Sequence, residues 1–317
     1  MDKTFKSGDI RFWLGLNSIP NIKKSVYKNL IQNFGSPYNV FKASIEELSL
    51  ASDLKTAQEI KRFNGWEKTD NEIELIKKYN ASVITINDSN YPGNLLSIND
   101  PPPYLYVKGS IQEYDRLAIA VVGTRSPSYY GATVAEKMAQ ELAECGVTIV
   151  SGLARGIDSA GHRGALAGKG RTIAVLGCGI DTVYPKENKK LFEEIAEKGA
   201  VISEFPIGTP PLPHNFPIRN RIISGLSLGV LIVEASLRSG SLITARLALE
   251  YNRDVFCIPG AITSDRSKGT NKLIKDGAKL VESAKDILED FYEIRENRKK
   301  EDGNKIPLLK EEARVLD

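Results

Sequence analysis

From Leu117 to about Ser283 the chain repeats one pattern, a short unbroken apolar run followed by a stretch with helical spacing. The apolar runs are LAIAVVG, VTIVSG, TIAVLG, AVISEF, GVLIVEA, DVFCIPG and KLVES. Between them lie YGATVAEKMAQELAEC, HRGALAG, NKKLFEEIAE, RNRIISGLS and SLITARLALEY. A strand that is apolar along its whole length is covered on both faces, and a helix between strands lets them run parallel. The expected fold is therefore α/β, a doubly wound, Rossmann-like, mostly parallel sheet.

The N-terminal part reads differently. Up to about Phe63, SVYKNLIQNF and SIEELSLA space their apolar residues three and four apart, as helices do. Ser44 followed by Glu47 has the spacing of a capping box. Asn71 to Gly109 mixes a helical NEIELIKKY, a strand-like SVITI, a Pro-rich turn and a strand-like YLYVKG. These shifts divide the chain into a small all-α domain at 1–70, an extended Rossmann-like domain at 71–292, and a tail at 293–317. The tail opens with the charged run IRENRKKEDGNK, a linker composition, before the helix-like LLKEEARVLD.

Composition excludes several classes. The net charge over 317 residues is only +3, so any basic surface is local. Cys145, Cys178 and Cys257 are an odd, widely spaced set with no CxxC pair, and His162 and His214 are the two histidines. No metal site is expected from them, and the thiols read as reduced and buried. No apolar run approaches the ~18 residues of a membrane span, and MDKTFKSGDIRFW lacks the apolar core of a signal peptide. The expected location is cytoplasmic, with no membrane partner.

In an open parallel sheet, ligands bind beyond the carboxyl ends of the strands. Those positions here carry Gly123-Thr124-Arg125-Ser126, Ser151-Gly152 with Arg155, Gly177-Cys178-Gly179, Glu234-Ala235-Ser236 with Ser239-Gly240-Ser241, and Pro259-Gly260. Glycine and serine there leave backbone amides able to meet an anion, and several of these turns open a helix. The same glycines also suit any tight strand-to-helix turn. No GxxxxGK[ST] or GxGxxG is present, which argues against a nucleotide triphosphatase or a dinucleotide enzyme.

The segment Phe216-Pro217-Ile218-Arg219-Asn220-Arg221 is the sharpest feature. Arginine forks clamp phosphates, and an exposed ring offers a face to a base. With Arg125, Arg155 and Lys186 it suggests a basic, aromatic-rimmed pocket suited to a single strand rather than a duplex. Phe216 reads equally as a core ring pinning its loop. One of Arg219 and Arg221 could pair with Glu204 or Glu234, which leaves at least one to face a ligand. Asp158 reads as a helix cap, His214 has no nucleophile in context, and no carboxylate pair forms an acid/base couple. No catalytic residue and no cofactor is expected.

In order and spacing, GTRSPSYYG, SGLARGIDSAGH, FPIRNRIISGLS, VEASLRSGSLITARLALEYNRDVFCIPG and GTNKLIKDGA resemble the signature blocks of the DprA (Smf) family. The resemblance covers roughly Asp100 to Phe291. It implies a non-enzymatic binder of single-stranded DNA that dimerises through its Rossmann domain and loads RecA during natural transformation. It also implies DNA contacts at Gly123, Thr124, Arg125, Ser126, Ser151, Gly152, Lys186, Phe216, Arg219, Asn220 and Arg221. Arg155, Ser239 and Gly240 join them from the loop reading. The implied partners are single-stranded DNA, a RecA-type recombinase, the single-stranded-DNA-binding protein and a second copy of the chain. The N-terminal helices resemble a SAM-like or helix-hairpin-helix module in which Asn21 and Lys23 stand where glycines would approach a phosphate. The tail resembles the first helix of a winged-helix domain. A rival class is the lysine-decarboxylase-like nucleotide hydrolases, whose PGGxGTxxE loop has its nearest match at Ser239 to Thr244, with Glu250 beyond.

Overall fold

A computed structural model describes residues 7–20, 22 and 24–291; Asn21, Lys23 and the expected tail at 293–317 lie outside them. The chain divides into two compact units, Met1–Tyr91 with Asp100–Tyr106, and Pro92–Asn99 with Val107–Asp317.

The first unit strings together helices α1 (Ser7–Ser18), α2 (Lys24–Phe34), α3 (Pro37–Lys42), α4 (Ile45–Ala51), α5 (Leu54–Lys61) and α6 (Trp66–Lys78), followed by strand β1 (Ser82–Thr85). Short polar caps start the middle helices. Ser36 accepts from Asn39 N–H, the Ser44–Glu47 capping box is formed in full, and Asp53 accepts from Thr56 N–H. Phe12, Phe41 and Phe63 surround Trp66 with ring centroids 4.8–5.5 Å from it. The boundary expected at residue 70 falls inside α6, whose amphipathic spacing carries it on to Lys78.

The chain then makes α7 (Gly93–Leu96) and β2 (Tyr104–Gly109). Downstream of β2 it alternates β3 (Ala118–Val122), α8 (Tyr129–Glu144), β4 (Thr148–Ser151), α9 (Ile157–Ala167), β5 (Thr172–Val175), α10 (Lys189–Lys198), β6 (Ala200–Ser203), α11 (Asn215–Leu226), β7 (Gly229–Ile232), α12 (Ser241–Glu250), β8 (Asp254–Cys257), α13 (Lys268–Lys275), β9 (Lys279–Leu280) and α14 (Ala284–Leu288). Each apolar run noted in the sequence from Leu117 onward supplies one strand. Their spatial order is β6-β5-β4-β3-β7-β8-β9, with every registered pair parallel. The fold is thus the expected Rossmann-like α/β sheet, and β3 to β8 are buried at nearly every position.

The order reverses between β3 and β7. The chain first moves outward from β3 to β6 and then crosses back to β7 on the other side of β3. Right-handed crossovers put α8 to α10 on one face and α11 and α12 on the other. A crevice therefore opens beyond the carboxyl ends of β3 and β7, where adjacent connections leave in opposite directions.

All three cysteines are reduced and buried. His162, in α9, is buried against the sheet with Nδ1 2.6 Å from Thr172 Oγ1. That hydroxyl donates its own proton to Ile149 O, so Nδ1 carries the imidazole proton and donates. Burial holds the imidazole pKa down, at about 3. An unfolded histidine titrates near 6.5, so between these values the unfolded chain binds a proton that the folded chain does not. Stability from this group is complete above pH 6.5 and falls with pH by up to about 1.4 kcal/mol per unit. Urea unfolding of the native chain and His162→Gln across pH 7 to 4.5 is expected to show a steeper loss for the native chain. Parallel slopes would mean that the imidazole is already charged in the fold.

Candidate functional site

The crossover crevice is a cleft of about 540 Å³, within the range of small-ligand sites. Its walls come from the loops after β3 and β7 and from the first turns of α11. Gly123, Thr124 and Arg125 line one side. Ser236, Ser239 and Gly240 line another, with Ser241 and Thr244 of α12. Phe216, Arg219 and Asn220 come from α11. A recess of about 40 Å³ next to it is lined by Gly152, Arg155, Tyr184 and Pro185, and shares Arg125 and Phe216 with the cleft.

The aromatic part is built around Phe216. Its ring lies against Gly177, where an added Cβ would come 2.8 Å from Phe216 Cδ1, so the ring is half-buried while still walling the cleft. The ring thus both pins its loop and keeps one side toward the cleft. The exposed Arg125 guanidinium stands 5.3 Å from its centroid, and Tyr184 packs beside it at 5.6 Å. A cation over a ring face at this distance is attracted by the ring quadrupole.

Arg219 differs from the expectation of a ligand-facing clamp. It is 4% exposed, and Nη1 donates to Gly152 O (2.8 Å) and to Val175 O. It therefore ties together the ends of β4 and β5 while contributing positive charge to the cleft floor. Burial lowers its pKa to about 10, a shift that the Asp158 charge opposes. Burial in turn raises the Asp158 pKa, against the pull of Arg219. Asp158 sits in the first turn of α9 and accepts from Gly152 N (3.1 Å) and Ala154 N (3.4 Å). Gly156, rather than Asp158, is the N-cap of α9.

Other expected contacts are also turned inward. Arg221 pairs with Glu204, and both side chains are nearly buried, which is the pairing the sequence left open. Ser151 is fully buried and donates to Val121 O (2.6 Å), because a hydroxyl at the end of a covered strand must find an internal acceptor. Several loop amides expected to await an anion are occupied as well. Thr124 N donates to Glu234 O (2.8 Å), Ser126 N to Thr124 Oγ1 (3.3 Å), and Gly152 N to Asp158. The chain's own acceptors take the places a phosphate would have used.

Four exposed cationic or polar positions remain around the cleft. Arg125 and Ser126 are exposed on the β3–α8 loop. Arg155 is exposed and pairs with Glu187, whose carboxyl it holds below the usual range. Lys186 is exposed beside Pro185, outside the residues that line the cleft and its recess. Ser236 and Ser241, among the small residues read beyond the strand ends, line the cleft with Thr244, and so does Tyr184, which was not singled out from sequence. Tyr184 carried a signal, an aromatic before a proline in a loop beyond β5.

The β3–α8 loop is firmly held. Ser128 caps α8 and meets the Glu234 carboxylate through both Oγ (2.6 Å) and N (2.9 Å). Gly156 adopts φ +79°, and a Cβ there would come 2.7 Å from Pro127 Cδ and 2.8 Å from the Arg125 carbonyl carbon, so no larger residue fits. Glu250, the nearest carboxylate to the hydrolase-like loop, ends α12, roughly 14 Å along the axis from its first residue. Among the described residues no group of three or more His, Cys, Asp or Glu is placed to hold a metal ion. No described helix is long and apolar enough to cross a membrane.

Comparison with known proteins agrees with this geometry. Residues 82–292 match the family model for DNA recombination-mediator protein A. Protein Smf of Escherichia coli is 41% identical over 286 residues, 89% of this chain and 75% of that protein. The structure of DNA processing protein A from Streptococcus pneumoniae superposes with a TM-score of 0.76 at 38% identity, covering 88% of this chain and 96% of that one. That of DNA processing protein A from Helicobacter pylori, described for its single-stranded DNA binding mode, gives 0.61 at 34% identity over 67% and 96%. With its crossover cleft, its sheet order and these relatives in agreement, the chain belongs to the DNA recombination-mediator protein A family.

Proposed function

We propose that the crossover cleft binds single-stranded DNA and that the chain is a recombination mediator without turnover of its own. It holds incoming single strands in the cytoplasm and passes them to a RecA-type recombinase during natural transformation. The observation that carries this reading is the exposed Arg125 guanidinium lying over Phe216 at the cleft mouth, with Tyr184 beside it. That combination offers charge to a phosphate and a ring to an unstacked base, and a duplex hides its base faces. The single-stranded DNA binding described for the Helicobacter pylori protein supports the same ligand. Glycine and small polar side chains along the cleft (Gly123, Ser239, Gly240, Asn220) let a sugar–phosphate chain approach closely.

A second copy of the chain is the proposed partner at the other end of the sheet. Strand β9 is two residues long, and the groove beside it, about 330 Å³, joins the apolar Leu249, Phe256 and Leu273 to the charged Arg253, Asp254, Asp276, Lys279 and Asp290. Leu249 and Leu280 are exposed there. Two clefts in one dimer raise apparent affinity through effective concentration. A recombinase and the single-stranded-DNA-binding protein are engaged through surfaces other than the cleft.

Fluorescence-anisotropy titration at several salt concentrations tests the DNA reading. The single strand is expected to bind more tightly than its duplex, with affinity falling as salt rises. Lys186→Ala is expected to flatten the log–log slope by about 0.7, the share of one phosphate contact on a single strand. Equal affinity for duplex and single strand, or no binding at low salt, would remove the reading.

A further inference from the structure

Tyr129 and Tyr130, 90% and 54% exposed, open α8, four and five residues after Arg125. Scattered surface aromatics are ordinary, but these two stand on an immobilised loop. Glu234 receives Ser128 and, through its carbonyl, Thr124 N. Ile157 N donates to Thr124 O (3.2 Å), and Arg266 Nε donates to Ser126 O (2.9 Å). The last bond sets an exposed guanidinium one residue from Arg125 and three from Tyr129. Arg266 is itself fixed to the end of β7, since its carbonyl accepts from Ala235 N (2.7 Å). Two cations thus flank a loop that presents two solvent-facing rings at the edge of the cleft. Arg266 has used one of its five donors in holding this loop.

Resting on the reading of the cleft as a single-strand site, we propose that the strand leaves it past Arg125 and over this loop. One base stacks on Tyr129, and the phosphates pass between Arg125 and Arg266. The loop is a second platform that lengthens the footprint beyond the cleft. Stacking suits this place because every base has a π-face, so the contact tolerates any sequence. The two guanidiniums make a polyanion the fitting occupant of a surface that an uncharged apolar partner would have to desolvate at a cost.

The test compares oligothymidylates of about 4 and about 20 nucleotides on the native chain, Tyr129→Ala, Tyr129→Phe and Arg125→Ala. The native chain is expected to bind the long strand more tightly than the short one. Tyr129→Ala is expected to weaken the long strand about five- to tenfold, the lower range for one stacked base, and to leave the short one unchanged. Tyr129→Phe keeps the ring and is expected to match the native chain. If Tyr129→Ala binds the long strand as the native chain does, the platform is overturned, while loss of both lengths in Arg125→Ala keeps the cleft as the DNA site. Equal weakening of both lengths by Tyr129→Ala would place the ring within the cleft's own footprint and overturn the exit path. If the native chain binds neither length, both readings fall.

Discussion

Replacing Arg219 with methionine is expected to cost about 3–5 kcal/mol of stability, because two buried hydrogen bonds and a compensating buried charge go together, and to lower the melting temperature by roughly 10 °C. The guanidinium is buried, its donors are committed to Gly152 O and Val175 O, and it faces Asp158. Methionine fills much of the volume but leaves two strand-end carbonyls without their donor and the buried Asp158 carboxylate with its amide partners but no facing cation. Two further measurements distinguish this account from simple loss of packing. With Arg219 gone, the Asp158 pKa rises further above its unfolded value, so the deficit is expected to shrink as pH falls and the carboxyl takes a proton. Adding Asp158→Asn to Arg219→Met is expected to recover part of the loss, because the lone charge is removed. A deficit below about 1 kcal/mol in thermal or urea unfolding would mean that this side chain is aimed at a ligand rather than at the fold.

Arg125→Ala is expected to do the opposite, sparing stability while weakening single-stranded DNA binding about ten- to a hundredfold. Its side chain is exposed, so unfolding is expected to change by no more than about 0.5 kcal/mol. The proposed contact with a phosphate would be charge-assisted, worth about 1.5–3 kcal/mol, and the guanidinium also covers the Phe216 ring at 5.3 Å. Arg125→Lys keeps the charge but loses the flat fork, and is expected to restore only part of the affinity. Equal binding by native chain and Arg125→Ala in anisotropy titration would detach this arginine from the ligand. Arg125 and Arg219 approach the same ring, at 5.3 and 5.9 Å, yet one is exposed at the cleft and the other is buried in the scaffold.

That division marks the limit of what could be read from residues in order. The strands were legible because both faces of the sheet are covered, which forces continuous apolar runs from Ile119 to Cys257. The crevice was legible because small residues gather at the carboxyl ends of those strands. The direction of each arginine was not equally plain. In α11 Asn215, Arg219 and every residue from Arg221 to Leu226 are buried, and Arg219 lies four after Asn215 and three and four before Ile222 and Ile223. That spacing assigns it to the inner face, but a cation next to a phenylalanine invites a ligand reading first. Ser151 was misleading for a related reason, since a serine at a strand end can serve a ligand or a neighbouring strand's carbonyl. Tyr184 escaped notice because the stretch after β5 has no periodicity to mark which residues return to the cleft.

The exposed Arg155–Glu187 pair changes what salt can report about this surface. Salt dependence in polyanion binding arises when mobile ions leave the partners for bulk solution. Arg155 already carries a neutralising carboxylate fixed to the same chain, and a phosphate that displaces it frees no ion from the protein side. The displaced Glu187 stays nearby as a tethered competitor whose local concentration does not change with dilution. This edge is therefore expected to give a smaller ionic-strength response to polyanion binding than its count of cations suggests. A strand that engages Arg155 gains geometric fit more than charge neutralisation.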